Sequence, residues 1–199
     1  RHFLDRWLAR APETEIIRRD VAALPPPPVD GRWIEAAFTK PEARSDAMRQ
    51  ILSESDRQVD ELDSADLILI GAPMYNFGVP STLKAWIDNI VRVGRTFGFD
   101  RSRQGAPYWP MLAPGKQLVV LAARGDGGYG AGAPLAASNL VEASIKVPLA
   151  YIGISDVHSI AVEWDEFADG RVAAPLAPAE AEMERLVDRL ADPRVTMAA

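Results

Sequence analysis

The sequence predicts an α/β fold, a parallel sheet wound with helices on both faces, and three observations carry that prediction. Leu67, Ile68, Leu69 and Ile70 run without polar alternation, the habit of a strand buried on both sides. A second run of the same kind spans residues 117–123, QLVVLAA. Between them lies an amphipathic helical stripe, Leu83, Trp86, Ile87, Ile90 and Val91, and strands alternating with helices in this way build crossovers that cover a sheet.

Taken in order, the opening RHFLDRWLAR repeats Phe3, Leu4, Trp7 and Leu8 at helical spacing. Nothing ahead of it serves as a cap, so the natural chain is expected to extend further at its N-terminus. Residues 13–19, with Ile16 and Ile17, read as a short strand ending near Asp20. Pro25 to Pro28 force an extended segment, read as a stiff connector rather than a ligand for a proline-reading domain. Residues 42–62 read as a helix with Met48, Ile51, Leu52, Val59 and Leu62 on one side. A strand is expected over 66–72. Pro80 then opens the helix already described, which ends at Gly94.

Residues 95–115 are rich in Gly, Pro and aromatics without clear periodicity, so a functional flap or contact arm is expected there. After the 117–123 strand, a glycine-rich loop over 124–132 leads to a helix over 134–150, a strand over 155–162 and a closing helix over 180–190.

Length and composition bound the function. The 199 residues suit one domain, 1–199, with a sizeable core. A net charge of -6 disfavours a nucleic-acid partner, because an acidic surface repels phosphate backbones. No apolar stretch approaches the roughly 20 residues of a spanning helix, so no membrane partner is expected. The chain contains no cysteine, which removes disulfides, thiolate metal sites and a cysteine nucleophile, and fits a cytoplasmic setting. There is no metal motif of the H-E-x-x-H kind, and no metal site is expected. His2 and His158 read as structural.

Two loops stand out because both follow strands, where ligands of open parallel sheets settle. The first, PMYNFG, puts Tyr75, Asn76 and Phe77 where a solvated connector would carry Ser, Asp and Lys. The second is RGDGGYGAG. A flat heteroaromatic ring suits the pair: aromatic side chains offer apolar surface, Asn76 offers a donor and an acceptor, and glycines let backbone N–H groups approach closely. The competing reading makes Tyr75 and Phe77 a lid of the core. Gly125, Gly127 and Gly130 also satisfy G-x-G-x-x-G, but a dinucleotide fingerprint runs straight into its helix, whereas here Pro134 and three further residues intervene.

Together DLILIGAPMYNFGVPSTLKAWIDNIVRVGRTF, the later ARGDGG and AYIGISDV resemble the FMN-dependent NAD(P)H azoreductases, flavodoxin-like enzymes that also reduce quinones. The likeness covers residues 1–163. It implies a flavodoxin-like doubly wound parallel sheet of strand order 2-1-3-4-5, with the first strand absent from this chain together with the Ser-rich phosphate loop that follows it. It implies FMN as cofactor, NADH or NADPH as electron donor, a quinone or azo acceptor, and a homodimer. Pro73, Met74, Tyr75, Asn76 and Phe77 are implied flavin contacts, as are Arg124, Gly125, Asp126 and Gly127 at the pyrimidine edge. Phe99 and Tyr151 match positions that wall the substrate space. The chain departs from the family's S-R-G-G by Ala123 and Asp126, and its 95–115 excursion is longer.

No catalytic side chain is expected, since the flavin carries the chemistry. Arg92, Arg95, Arg101 and Arg103 are weighed as an attractor for nicotinamide phosphates against ordinary solvated arginines. An FAD-type quinone reductase, a flavin reductase, and a flavin-binding sensor or inactive scaffold remain open alternatives.

Overall fold

The computed structural model describes residues 1–167 and 170–192. Three parallel strands form the main sheet: β1 (Leu67–Pro73), β4 (Gln117–Ala123) and β5 (Asp156–Val162), in the order β1-β4-β5. A separate antiparallel pair joins β2 (Phe97–Phe99) to β3 (Tyr108–Pro110). The helices are α1 (His2–Arg10), α2 (Gly31–Phe38), α3 (Asp46–Ser64), α4 (Ser81–Ile90), α5 (Val141–Tyr151) and α6 (Ala173–Leu190).

Alternation along the strands sorts the core into two layers. Ile68, Ile70, Ala72, Leu118, Val120 and Ala122 pack toward α3, α4 and α5, meeting Val59, Leu62, Leu83, Ile87, Ile145 and Leu149. On the opposite face Leu67, Leu69, Val119, Leu121 and Ile160 meet Phe3 of α1 and Met183, Leu186, Val187 and Leu190 of α6. The sheet is therefore wound on both sides, as the apolar runs predict. Leu118, Val119 and Val120 of the central strand are wholly buried. Each contributes about 1.5–3 kcal/mol by leaving water.

The three strands stand where the expected order places its third, fourth and fifth strands. Residues 13–19, expected as a strand, are not one. A strand exists by its ladder partner, and none lies beside this segment among the described residues. Ile17, Arg19 and Val21 instead face Leu67–Gly71 of β1 across a groove of about 200 Å³. Arg19 holds the segment to α3 through Glu61 at 2.7 Å and Glu54 at 2.9 Å.

Helix ends also moved from expectation for local reasons. Residues 31–38, unassigned in the sequence reading, form α2 because the Asp30 carboxylate accepts the Trp33 N–H at 2.9 Å and caps it. The Ser45 hydroxyl caps α3 in the same way, so that helix begins at Asp46 and the preceding residues 41–43 make a 3-10 turn. α5 begins at Val141 rather than 134, because the chain over 133–139 closes a chain of short turns. α6 starts earlier than predicted, at Ala173. The proline run acts as a connector: the Pro27 carbonyl accepts from the Asn89 side chain at 2.8 Å. The 95–115 excursion carries the β2–β3 hairpin.

Candidate functional site

The register of the sheet creates the site. Pro73 pairs with Ala123, and Ala123 with Val162, so all three strands stop at one level and release their loops side by side. The Met74 N–H then donates to the Ala123 carbonyl at 2.8 Å, tying the first loop to the root of the second.

The first loop is a tight turn. Tyr75 and Gly78 exchange both backbone hydrogen bonds, at 2.9 and 3.0 Å. Between them Asn76 has φ 46° and Phe77 φ 70°, the left-handed values that both central residues of a type I′ turn require. Asn tolerates this region; Phe does not, and such residues cost about 1–3 kcal/mol and cluster at functional sites. The strain turns Tyr75 and Phe77 outward, at 61% and 51% exposure, against the core-lid alternative. Met74 packs against the core beneath them, while Pro73 and Asn76 are exposed.

The second loop comes to meet the first. Tyr129 is buried, and its ring lies 6.4 Å from that of Phe77 at 56°. The Phe77 carbonyl accepts the Leu140 N–H at 2.9 Å, joining the first loop to the start of α5. Arg124, expected to contact cofactor, points its side chain inward: it is buried, donates to Glu163 at 2.9 Å, and is paired with Glu142 of α5. Only its peptide unit belongs to the loop surface. The Asp126 carboxylate accepts the Gly127 N–H at 2.8 Å, so that amide is engaged within the chain. The amides of Gly125 and Asp126 have no partner among the described residues.

Glu163 was missed by the sequence reading. Its carboxylate accepts the N–H groups of Gly128 at 2.8 Å and Tyr129 at 2.9 Å. Burial by itself would raise its pKa, but those two amides and the Arg124 guanidinium outweigh it and hold the carboxyl below the usual range. The only available signal was its position, directly after a strand that ends level with the other two.

Phe99 and Tyr151 belong to another cluster. Tyr108 joins them, stacked on Phe99 at 4.8 Å and tilted against Tyr151 at 6.0 Å, with Phe97 a further 5.2 Å from Tyr151. Burial, and then the neighbouring Tyr108, raise the Tyr151 pKa. Tyr151 ends α5, whereas Leu140, bonded to Phe77, precedes it. At 1.5 Å rise per residue the helix separates the two clusters by about 15 Å.

The four weighed arginines divide. Arg92 is fully buried, donates to Ser55 at 2.8 Å and lies over Trp33, so it meets no external phosphate. Arg95 is paired with Asp56 and Asp60. Arg101 and Arg103 lie over Phe99 and Trp109. Among the described residues no cluster of metal-ligand type occurs, and no helix is long and apolar enough to cross a membrane.

Residues 1–187 match the family described as having a flavodoxin-like fold. This chain belongs to that family. Among its flavodoxin-like relatives, FMN-dependent NADH:quinone oxidoreductase 1 of Pseudomonas fluorescens is 42% identical over 187 residues, covering 94% of this chain and 86% of that protein. FMN-dependent NADH:quinone oxidoreductase 2 of Colwellia psychrerythraea is 36% identical over 189 residues, covering 95% and 86%. The solved structure of an FMN-dependent NADH-azoreductase from Bacillus anthracis in complex with FMN superposes with a TM-score of 0.80 at 21% identity, covering 96% of this chain and 89% of that one. At that identity the superposition speaks for the shared fold, and it agrees with the doubly wound sheet described above.

Proposed function

We propose that this flavodoxin-like protein is an FMN-dependent NAD(P)H oxidoreductase that reduces quinones and azo compounds. The observation that carries the reading is the meeting of two strand-end loops through Phe77 and Tyr129, in a chain 36% identical to one named NADH:quinone oxidoreductase and 42% to another. The residues fit a flavin. A strained turn presents aromatic rings to solvent, and beside it two unengaged amides offer donors to a polar ring edge.

The chemistry that FMN supplies when bound is two-electron transfer from a reduced nicotinamide to an acceptor. The chain's own part is to bind and orient. Tyr75 and Phe77 would cover apolar ring surface and keep water from it; Met74 sets the turn against the core, and Pro73 ends the strand ahead of it. Asn76 would hold a carbonyl or imide edge of the ring, and the Gly125 and Asp126 amides would supply donors beside it. Donor and acceptor would use the one site in turn, so ping-pong kinetics are expected.

The protein acts as a homodimer on this reading. The 15 Å or so that α5 places between Phe77 and Tyr151 supports it, because Phe99, Tyr108 and Tyr151 are then free to wall the slot of a second copy. A cytoplasmic location, where reduced nicotinamides are available, suits the cysteine-free chain.

The full-length protein is expected to purify with flavin absorbance that survives gel filtration and to oxidise NADH with menadione or methyl red. A Tyr75→Ala, Asn76→Ala variant should lose most of that turnover. A colourless protein that gains no activity on added FMN would refute the reading, and FAD in place of FMN among the extracted cofactors would shift it to the FAD-type enzymes. Loss of activity in Phe99→Ala and in Tyr75→Ala, with partial recovery on mixing the two subunits, tests the shared site.

A further inference from the structure

We propose that Glu163 and Trp164 are positioning residues of the flavin slot, clamping the loop over 124–129 in a shape that leaves only the Gly125 and Asp126 amides to donate to a ligand. The inference rests on the functional reading above, and it concerns residues outside both strand-end loops.

Three donors of one loop converge on one carboxylate. Glu163 takes Arg124 Nη1 and the Tyr129 N–H on Oε1, each at 2.9 Å, and the Gly128 N–H on Oε2 at 2.8 Å. Charge-assisted bonds from backbone amides are among the stronger ones, and here they gather the two ends of the loop. The backbone on either side repeats the grip. Arg124 donates to the Val162 carbonyl at 2.9 Å; Asp165 and Glu166 donate back to Arg124 and Gly125 at 3.1 and 3.2 Å.

Trp164 supplies the floor. It sits at φ 69°, a costly conformation for a bulky residue. That geometry lays the indole on Gly127 so closely that a Cβ there would stand 2.2 Å from Trp164 Cζ2. Gly127 is buried under this ring, while Asp126 at the tip is exposed and Gly125 partly so. Of the six amides from 124 to 129, those of Arg124, Gly127, Gly128 and Tyr129 are engaged within the chain, which leaves that of Asp126 at the exposed tip and that of Gly125, on which the Glu166 side chain packs so closely that a Cβ would stand 2.7 Å from its Oε2. A loop whose remaining donors are held by outward packing binds a ring edge without reordering at the moment of binding.

The test uses the full-length protein stripped of flavin and titrated with FMN. Glu163→Gln removes the charge and replaces one acceptor with a donor that opposes the bound amides. It is expected to weaken the FMN dissociation constant by about 10- to 100-fold and to shift the visible bands and reduction potential of the bound flavin. Trp164→Leu, which leaves the Glu163 contacts in place, is expected to weaken FMN binding several-fold and to serve where Glu163→Gln does not fold. An FMN affinity, spectrum and potential equal to wild type in both variants, with only the thermal midpoint lowered, would overturn the proposal and leave a structural role. Failure of the wild-type protein itself to bind FMN would instead refute the functional reading.

Discussion

Phe77 and Tyr129 meet with ring centroids 6.4 Å apart and planes inclined at 56°, although they belong to loops that leave different strands. This contact joins a strained turn to a glycine-rich loop, and it makes the candidate site a property of the sheet's end rather than of either loop alone. Phe77 also holds a left-handed backbone conformation that suits a bulky residue poorly, at φ 70°. On the proposed function, binding and stability therefore pull in opposite directions at this position.

Phe77→Gly separates them. Glycine relieves a left-handed residue worth about 1–2 kcal/mol and loses an aromatic pair worth about 0.5–1.5 kcal/mol. Denaturant unfolding should then differ from wild type by no more than about 1 kcal/mol, while FMN affinity falls about tenfold or more. A large stability loss would show that the turn is not strained.

The Glu163 carboxyl sets an acid limit. Its folded pKa lies below the ordinary 4.5, so its contribution to stability is complete above that value and is lost as pH falls through the depressed folded value. Wild type should be more stable than Glu163→Gln at pH 7, with the gap closing below about pH 4.5. Thermal melts across pH 3 to 7, roughly the span of carboxylate titration, check this. A gap that persists unchanged in acid contradicts the assigned charge.

Gly98 of β2 lies under Trp109 of β3, where a Cβ would stand 2.0 Å from the indole. Gly98→Ala must displace that ring, at about 1–3 kcal/mol. The aromatic cluster of Phe99 and Tyr108 shifts with the hairpin. FMN affinity is expected to stay within about twofold of wild type while the quinone KM rises, and steady-state kinetics on the flavin-loaded protein would read the split.

Arg92 is a buried cation whose pKa burial pushes down to about 10, with Asp56 opposing that fall. Its Nε and Nη2 have no hydrogen-bond partner among the described residues. Replacing a buried ion with an apolar side chain of similar volume is often neutral or better, and Asp56 keeps Arg95 at 3.0 Å. Arg92→Met should unfold within about 1.5 kcal/mol of wild type, and Arg92→Ala, which leaves a cavity beside Trp33, should cost about 3 kcal/mol. Urea titrations of the two variants distinguish them.

The doubly wound sheet and both strand-end loops were legible from residue order alone, because a strand buried on both faces needs an unbroken apolar run and the loops violate ordinary connector chemistry. Leu67–Ile70 and PMYNFG carry that information locally. Residues 13–19 misled for the converse reason: Ile16 and Ile17 satisfy strand propensity, but a ladder depends on a neighbour, which no local pattern contains. α2 was overlooked although Asp30 stood ready as its cap.

Tertiary structure alone decided where each loop residue points and what it pairs with. The Arg124 side chain turns inward to Glu142 and Glu163, and the Asp126 carboxylate engages its neighbour's amide. Glu163 entered the site from 34 residues or more along the chain, because the register Pro73, Ala123, Val162 brings three strand ends to one level. Periodicity reports which face of an element is apolar; it holds no record of which strands end together, and that level edge is what brings the loops of the candidate site side by side.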